Sequence, residues 1–233
     1  MTDHAASHAD LMDQTYRYQR LVYDATRAWY LLGRDHLIRD IAPPPGAHVL
    51  EVACGTGRNL AHIAQRYQGC HLYGFDISTE MLRSADRALA GRAHLARADA
   101  CAFDAEALFG RPQFDRIVLS YSLSMIPDWR GALGQALDHL SEGGQLHIID
   151  FGDQTALPGW FRDGLRSWLA RFHVEPRITL SCQLRAMATK RGLRAACGPM
   201  YRDYTQYAVV RRPVPAVVSD TADNRVSNLA VHG

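Results

Sequence analysis

Short apolar runs alternate with amphipathic segments from residue 47 to residue 151, and this alternation limits the folds that the chain can adopt. The runs predicted to be strands are 48–52, 71–76, 93–98, 114–120 and 145–151. Strands that alternate with helices pair in parallel, because each helical crossover returns the chain to the same end of the sheet. Right-handed crossovers then place helices on both faces. The sequence therefore predicts a doubly wound, Rossmann-like α/β domain.

The chain before this domain has a different pattern. Apolar residues recur at helical spacings over residues 9–41, and the proline-rich stretch 43–46 ends the pattern. One face of this predicted helix carries Tyr23, Arg27, Tyr30 and Arg34. Residues 1–46 are therefore predicted to form a helical cap. Its tyrosine and arginine face either covers a ligand, with an arginine on a carboxylate, or is a solvated face packed on the sheet.

Residues 155–177 interrupt the alternation of strands and helices. The segment 157–173 places six large apolar side chains on one helical face, and these are Trp160, Phe161, Leu165, Trp168, Leu169 and Phe172. A helix with aromatic and arginine side chains is typical of a lipid interface. The residues predicted to contact a membrane are Trp160, Phe161, Arg162 and Trp168. A helix packed on its own domain has the same apolar stripe, so both interpretations stay open.

The residues after this insertion are predicted to complete the domain, which spans 47–212. A helix over 183–191 precedes two final strands near 193–198 and 204–211. Beyond the domain the chain is small, polar and aperiodic, which predicts a flexible tail over 213–233.

Composition excludes several classes of protein. No run of about 18 apolar residues occurs, so no segment is predicted to span a membrane. The N-terminus lacks the charged-then-apolar pattern of a secretory signal, which predicts a soluble, cytoplasmic protein. The formal net charge of +2 is too small to favour a nucleic-acid partner. The five cysteines form no CxxC pair, so the sequence predicts neither a metal site nor a disulfide framework.

Three acidic residues lie near the strand ends where open α/β sheets bind ligands. Glu51 precedes the turn at 53–57, whose two glycines allow a ligand to approach the backbone. Asp76 ends the second strand, where a carboxylate can accept hydrogen bonds from two ribose hydroxyls. Asp99 ends the third strand, where an acid can meet an adenine amino group. A dinucleotide fingerprint needs a glycine at the position of Leu60, which disfavours a nicotinamide-linked oxidoreductase.

These features, in this order, resemble the class I S-adenosylmethionine (SAM) dependent methyltransferases. The resemblance covers residues 47–151 and is carried by EVACGTG, GFDIS, RADA, FDRIVLSYSLS and LSEGGQL. Ala53 stands where the family often has glycine. The resemblance implies a seven-stranded sheet with an antiparallel last strand, closed here by a hairpin within 193–211. It also implies SAM as cofactor and S-adenosylhomocysteine (SAH) as product.

The resemblance further implies which residues bind the cofactor. They are Tyr23, Arg34, Glu51, Ala53, Gly55, Gly57, Asn59, Asp76, Ile77, Met81, Asp99, Ala100 and Ser120. Enzymes of this kind that methylate nucleobase amino groups typically carry an acid-Pro-Pro-aromatic tetrad after strand four. Here that place holds Ser120-Tyr121-Ser122-Leu123, so no nucleic-acid substrate is predicted.

A closer resemblance extends over residues 8–212. YDATRAWYLLGRD at 23–35, CGTGRNL, SYSLSMIPDW, DFGDQTALPGWFR and RFHVEPR are similar to the N-methyltransferases of bacterial betaine-lipid synthesis. Those enzymes methylate diacylglyceryl-homoserine three times to give the trimethylated lipid. The resemblance implies a lipid-amine substrate and peripheral association with the inner face of the cell membrane. It also implies, as a partner, the enzyme that makes diacylglyceryl-homoserine.

Methylation of an amine sets two requirements on the site. An apolar pocket favours the neutral, nucleophilic amine by desolvation, and aromatic faces stabilise the cationic product. Tyr121 at the end of strand four is the best-placed catalytic candidate, followed by Tyr23 and Tyr204, with buried structural tyrosines as the alternative. Arg27 or Arg34 can bind a homoserine or methionine carboxylate. No dedicated general base is identified, and solvent then takes the proton.

Two other functions stay open at this point. A methyltransferase acting on another lipid amine or on a soluble small molecule would share every cofactor-binding residue. A non-catalytic SAM-binding domain would bind the cofactor and release no SAH with any acceptor.

Overall fold

A seven-stranded sheet forms the centre of the protein in the computed structural model, which describes residues 31–214. Its strands are β1 (His48–Val52), β2 (His71–Asp76), β3 (His94–Arg97), β4 (Phe114–Ser120), β5 (Leu140–Phe151), β6 (Arg194–Met200) and β7 (Thr205–Arg211). The strand order is β3-β2-β1-β4-β5-β7-β6. Strands β1 to β5 pair in parallel, whereas β7 runs antiparallel to both β5 and β6. The predicted sheet with an antiparallel last strand is confirmed.

The described helices cover both faces of this sheet. They are α1 (Arg34–Asp40), α2 (Arg58–Arg66), α3 (Thr79–Leu89), α4 (Ala105–Phe109), α5 (Trp129–Asp138), α6 (Gly159–Ala170) and α7 (Leu180–Lys190). Ser78 and Asp128 are residue types that commonly precede helices, and they cap α3 and α5, because Ser78 accepts the amide of Met81 and Asp128 accepts the amide of Gly131. Helix α4 was not predicted, since five residues are too short to show a helical period.

The sheet separates two hydrophobic clusters because neighbouring strand residues point to opposite faces. Leu50 and Val52 of β1 belong to the cluster that packs against α5 and α7, whereas Val49 belongs to the cluster beneath α1, α2 and α3. All three side chains are fully buried. Burial of strands on both faces explains why they appear in the sequence as continuous apolar runs.

Strand β5 is longer than predicted. Leu140 pairs with Phe114, and Gln145 pairs with Arg116, so the register shifts between these pairs. Gly143, with φ at 73°, lies in the extra residues of this bulge. Gly143 therefore lies in an irregularity within the strand.

The insertion at 155–177 contains α6, as predicted, and the helix has two different halves. Leu169 is buried in the cluster beneath α1 to α3, and Trp168 packs against the same cluster. Trp160 in the first turn is 79% exposed, and Phe161 beside it is 41% exposed. The second half of α6 thus packs on its own domain, while its first turn presents aromatic rings to solvent.

The predicted cap and tail lie largely outside the described residues. Helix α1 is the described part of the cap, and Leu37 and Ile38 bury it against the sheet. Residues 1–30, with Tyr23, and residues 215–233 are outside the described range. Within 31–214, no helix combines the length and the apolar character needed to cross a membrane.

The β6–β7 hairpin turns through three consecutive residues with left-handed backbones. Tyr201, Arg202 and Asp203 have φ values of 51°, 58° and 62°. Such a conformation costs a non-glycine residue about 1–2 kcal/mol. The carbonyl of Asp203 accepts the amide of Gln154 at 2.9 Å, which ties the hairpin to the start of the insertion. A Cβ on Gly152 would lie 2.2 Å from that carbonyl oxygen, so this approach requires glycine.

Gly152→Ala is therefore expected to destabilise the protein by about 1–3 kcal/mol, because the clash is with backbone that cannot rotate away. Urea denaturation followed by circular dichroism measures the change. Gly198→Ala in β6 is the matched control, since nothing lies within 4 Å of its Cβ position. Equal midpoints for the two variants would contradict this account of the hairpin.

Candidate functional site

The loops that follow β1, β2 and β4 meet at the carboxyl edge of the sheet and surround a cavity. Its empty volume, including the part open to solvent, is about 750 Å³. The residues that line it are Leu31, Arg34, Glu51, Ala53, Cys54, Gly55, Thr56, Arg58, Asn59, Asp76, Ile77, Met81, Ser120, Tyr121, Ser122, Met125 and Ile126. Nine of the predicted cofactor-binding residues are therefore brought together.

The turn after β1 has left-handed backbones at three positions. Ala53, Gly55 and Gly57 have φ values of 53°, 56° and 72°. Ala53 and Gly55 line the cavity. Gly57 lies outside this lining, and a Cβ there would lie 3.0 Å from the Cβ of Ala85. Gly57 therefore permits close packing of α2 on α3, and its predicted contact with the cofactor stays a prediction.

Asp76 at the end of β2 joins two of these loops. Its Oδ2 accepts the amide of Gly55 at 2.8 Å, and its Oδ1 accepts the amide of Ser78 at 2.9 Å. The residue is 8% exposed and lines the cavity. A carboxylate has about four acceptor positions, and a side chain fixed in this way is suited to the hydroxyls of a bound diol.

Glu51 forms a buried acidic position at the end of β1. It is 2% exposed, and its Oε1 accepts the Nδ2–H of Asn59 at 2.6 Å. Among residues 31–214, its buried Oε2 has no hydrogen-bond partner. Burial raises the pKa of Glu51 to about 8, against the opposing effects of Asn59 and of the Arg34 guanidinium. An unpartnered buried carboxyl oxygen favours a ligand that brings a hydrogen-bond donor or a positive charge.

Tyr121 follows β4 with φ at 55° and is 3% exposed. Its hydroxyl donates to the carbonyl of Leu32 at 2.5 Å. This hydrogen bond holds the segment around Leu32 beside the cavity. Burial raises the pKa of this hydroxyl well above its usual value. The side chain therefore offers the cavity a neutral aromatic ring, not a base. Ser120 and Ser122 also line the cavity, and their buried hydroxyls have no hydrogen-bond partner in the part of the chain that the structure describes.

Other predicted residues lie away from this lining. Asp99 is half-buried and accepts the amide of Cys101 at 2.9 Å, and neither it nor buried Ala100 lines the cavity. Asp99 follows β3, an edge strand that pairs with β2. Tyr204 is buried beside Phe151 and is also outside the lining. Tyr23 lies outside the described residues.

The structure adds lining residues that sequence reasoning missed. Arg58 begins α2 directly after the turn, and Met125 and Ile126 lie in the loop after β4. Arg58 was recognisable as the first residue after the glycine turn. Met125 and Ile126 belong to the motif SYSLSMIPDW, but their place in the lining depends on hydrogen bonds from another segment. Arg177, beyond α6, donates to the carbonyls of Leu123 and Ile126.

The geometry defines the chemistry of a ligand that would fit. The two carboxyl groups suit different parts of a ligand. Asp76 suits a diol, and Glu51 suits a cationic or hydrogen-bond-donating group. Ile77 and Met81 add apolar surface to the cavity. Across residues 31–214, no group of three or more histidine, cysteine, aspartate or glutamate side chains is arranged to bind a metal ion.

Comparison with known sequences identifies similar proteins. A family described as "Methyltransferase domain" matches residues 23–196. A demethylmenaquinone methyltransferase of Clavibacter sepedonicus is 32% identical over 136 residues, which are 55% of this chain and 53% of that protein. Aklanonic acid methyltransferase DauC of Streptomyces sp. (strain C5) is 30% identical over 145 residues, which are 60% of this chain and 65% of that protein. The chain thus matches between half and two thirds of the length of these relatives.

Solved structures share the fold. Phosphoethanolamine N-methyltransferase 2 of Haemonchus contortus, in complex with SAM, has a TM-score of 0.69 at 15% identity, covering 88% of this chain and 60% of that one. An O-methyltransferase family 2 protein of Planctomyces limnophilus, in complex with apigenin, has a TM-score of 0.63 at 25% identity, covering 86% and 62%.

The raised pKa of Glu51 gives a stability prediction. The folded protein keeps this carboxyl protonated up to a pH of about 8, whereas the unfolded chain releases the proton near its ordinary value. The contribution of Glu51 to stability is therefore lost as the pH rises through this window. Glu51→Gln, which stays neutral, is expected to gain on the order of 3 kcal/mol relative to wild type between pH 5 and about 8. Urea denaturation at a series of pH values measures this, and parallel curves would contradict the buried, protonated state.

Proposed function

The chain belongs to the class I SAM-dependent methyltransferase family, and from that membership we propose that it transfers methyl groups from SAM to the amine of a lipid. The acceptor we propose is diacylglyceryl-homoserine, which successive transfers convert to the trimethylated betaine lipid. The observation that carries the proposal is the convergence of Glu51 and Asp76 on one cavity beside the turn at 53–57.

The residues of this cavity fit SAM. Asp76, held by two backbone amides, would accept the ribose hydroxyls, and the unpartnered Oε2 of Glu51 would accept the α-ammonium group. Arg34, on the same wall, would bind the methionine carboxylate. We keep Asp99 and Tyr23 as proposed cofactor contacts. When bound, the sulfonium supplies an electrophilic methyl group for in-line displacement by the amine.

The acceptor amine must be neutral to attack. Leu31, Met125 and Ile126 give the cavity an apolar wall, which disfavours the protonated amine by desolvation. The Tyr121 hydroxyl is occupied by the carbonyl of Leu32 and has a raised pKa, so the proton leaves to solvent instead. The ring of Tyr121 would stabilise the growing positive charge by about 0.5–2 kcal/mol.

A membrane-bound acceptor requires the protein to approach a lipid surface. Trp160 and Phe161 form an exposed edge-to-face pair with ring centroids 5.8 Å apart. Side chains of this type partition into the headgroup region. We propose that the first turn of α6 binds the inner face of the cell membrane, and that the chain works beside the enzyme that makes its acceptor. Trp168 is not part of this proposed membrane contact, because it packs on the domain.

A second candidate is methylation of a quinone or another small aromatic molecule. The relatives named for demethylmenaquinone and aklanonic acid favour it, since they match at 30–32% identity. Both candidates use the same cofactor residues, so the identity of the methylated acceptor separates them. A SAM-binding domain without catalytic activity would label no acceptor.

Incubation with radiolabelled SAM and a total lipid extract is expected to label a lipid amine. Asp76→Ala is expected to weaken SAH binding at least tenfold in calorimetry and to abolish labelling, because it removes the diol acceptor and the link between two loops. Asp86→Ala on the exposed side of α3 is the control. Wild-type SAH affinity in Asp76→Ala would refute the cofactor assignment, and label found only in quinones would refute the lipid amine.

Replacing Trp160 and Phe161 with serine is expected to lower binding to anionic liposomes several-fold while leaving SAH affinity unchanged. Sedimentation with liposomes measures the first quantity, and calorimetry measures the second. Val214→Ser is the control, because Val214 is an equally exposed apolar residue far along the chain from α6. Unchanged sedimentation would exclude this turn as the membrane contact.

A further inference from the structure

A second cleft adjoins the cofactor cavity and shares part of its lining. It has an empty volume of about 780 Å³, including the part open to solvent. Leu31, Arg34, Arg58 and Asn59 line both spaces, so the two are separated only by shared side chains. A molecule bound in this cleft would therefore lie next to the cofactor.

The lining of this cleft is strongly biased toward basic side chains. Arg34, Arg39 and Arg58 line it together with His36 and His62, whereas its acidic lining residue is Asp35. Within the described range, neither Arg39 nor Arg58 has a carboxylate within ion-pairing distance. Arginine side chains presented in this way suit a carboxylate or a phosphate, which they can bind through two parallel hydrogen bonds.

The cleft also has two large, partly exposed side chains in its lining. Leu32 and Tyr201 line it and are 36% and 49% exposed. Tyr201 lies on the left-handed hairpin, and its ring packs 3.2 Å from the Cβ position of Gly33. Strained backbone of this kind is often found where it positions a side chain for binding. The cleft thus combines basic side chains with exposed apolar surface.

We infer that this cleft binds the anionic group of the methyl acceptor, a carboxylate or a phosphate, while the acceptor's amine reaches the cofactor cavity. The inference rests on the proposed function and specifies the acceptor as an amine that also carries a negative charge. The exposed surface of Leu32 and Tyr201 fits an acceptor with a hydrocarbon body. The formal net charge of +2 for the whole chain shows that the basic bias is a local property of this cleft.

The test uses the full chain saturated with SAH and measures binding of small headgroup probes by calorimetry. Glyceryl-homoserine carries the carboxylate, its carboxamide lacks the charge, O-phosphoethanolamine carries a phosphate, and inorganic phosphate lacks the amine. Arg39→Gln is the variant, because Arg39 lines the cleft and not the cofactor cavity. Arg87→Gln on the exposed side of α3 removes the same charge elsewhere.

We expect Arg39→Gln to weaken binding of one anionic amine probe about tenfold, which is the loss of roughly one charge-assisted hydrogen bond. SAH affinity should change less than twofold, and Arg87→Gln should behave as wild type. If glyceryl-homoserine is the probe affected, the anion is a carboxylate, and its carboxamide should bind wild type as weakly as the acid binds Arg39→Gln. If O-phosphoethanolamine is affected, the anion is a phosphate.

Three outcomes would overturn the inference. The first is equal probe affinity in wild type and Arg39→Gln, or no binding of either amine probe to wild type. The second is a tenfold loss of SAH affinity in Arg39→Gln, which would make the cleft part of the cofactor site. The third is Arg39-dependent binding of inorganic phosphate alone. Failure of wild type to bind SAH at all would instead refute the proposed function.

Discussion

The carboxylate of Asp76 is the interaction on which the site depends. It accepts the amides of Gly55 and Ser78, and so fixes the turn after β1 to the start of the helix after β2. Parallel strands bring these loops to one edge of the sheet, but the loops lack the strand-to-strand hydrogen bonds that hold the sheet together. A buried carboxylate that accepts two backbone amides holds the loops in place, because charge-assisted hydrogen bonds are among the stronger ones. The same side chain therefore shapes the cavity and faces its ligand.

The cavity wall after β4 has a different support. Arg177 donates to the carbonyls of Leu123 and Ile126, and Glu175 donates its amide to the carbonyl of Ser124 at 2.9 Å. Both residues belong to the insertion, so the segment that carries the exposed Trp160 also holds the wall of the cavity. The first turn of α6 and the cavity are thus parts of one connected structure.

Much of the fold followed from the sequence, because strands buried on both faces leave continuous apolar runs and because Ser78 and Asp128 mark helix starts. Helix α4 and the bulge in β5 left no such pattern. Within the site, Glu51 and Asp76 were predictable from their places after strands. The packing role of Gly57 and the position of Asp99 outside the lining were not, since both depend on how α2 and β3 pack. The basic cleft was also hidden, because Arg39 and Arg58 come from separate helices and meet only in the folded chain.

Ala53 adopts a φ of 53° at a position where the family often has glycine. The left-handed bend is thus achieved without glycine, at a cost of roughly 1 kcal/mol. A search pattern that demands glycine at this position would pass over this chain, although Ala53 adopts the left-handed backbone that favours glycine. Requiring only a small residue there, together with an acid two positions earlier and another at the end of the next strand, would recover such divergent sequences.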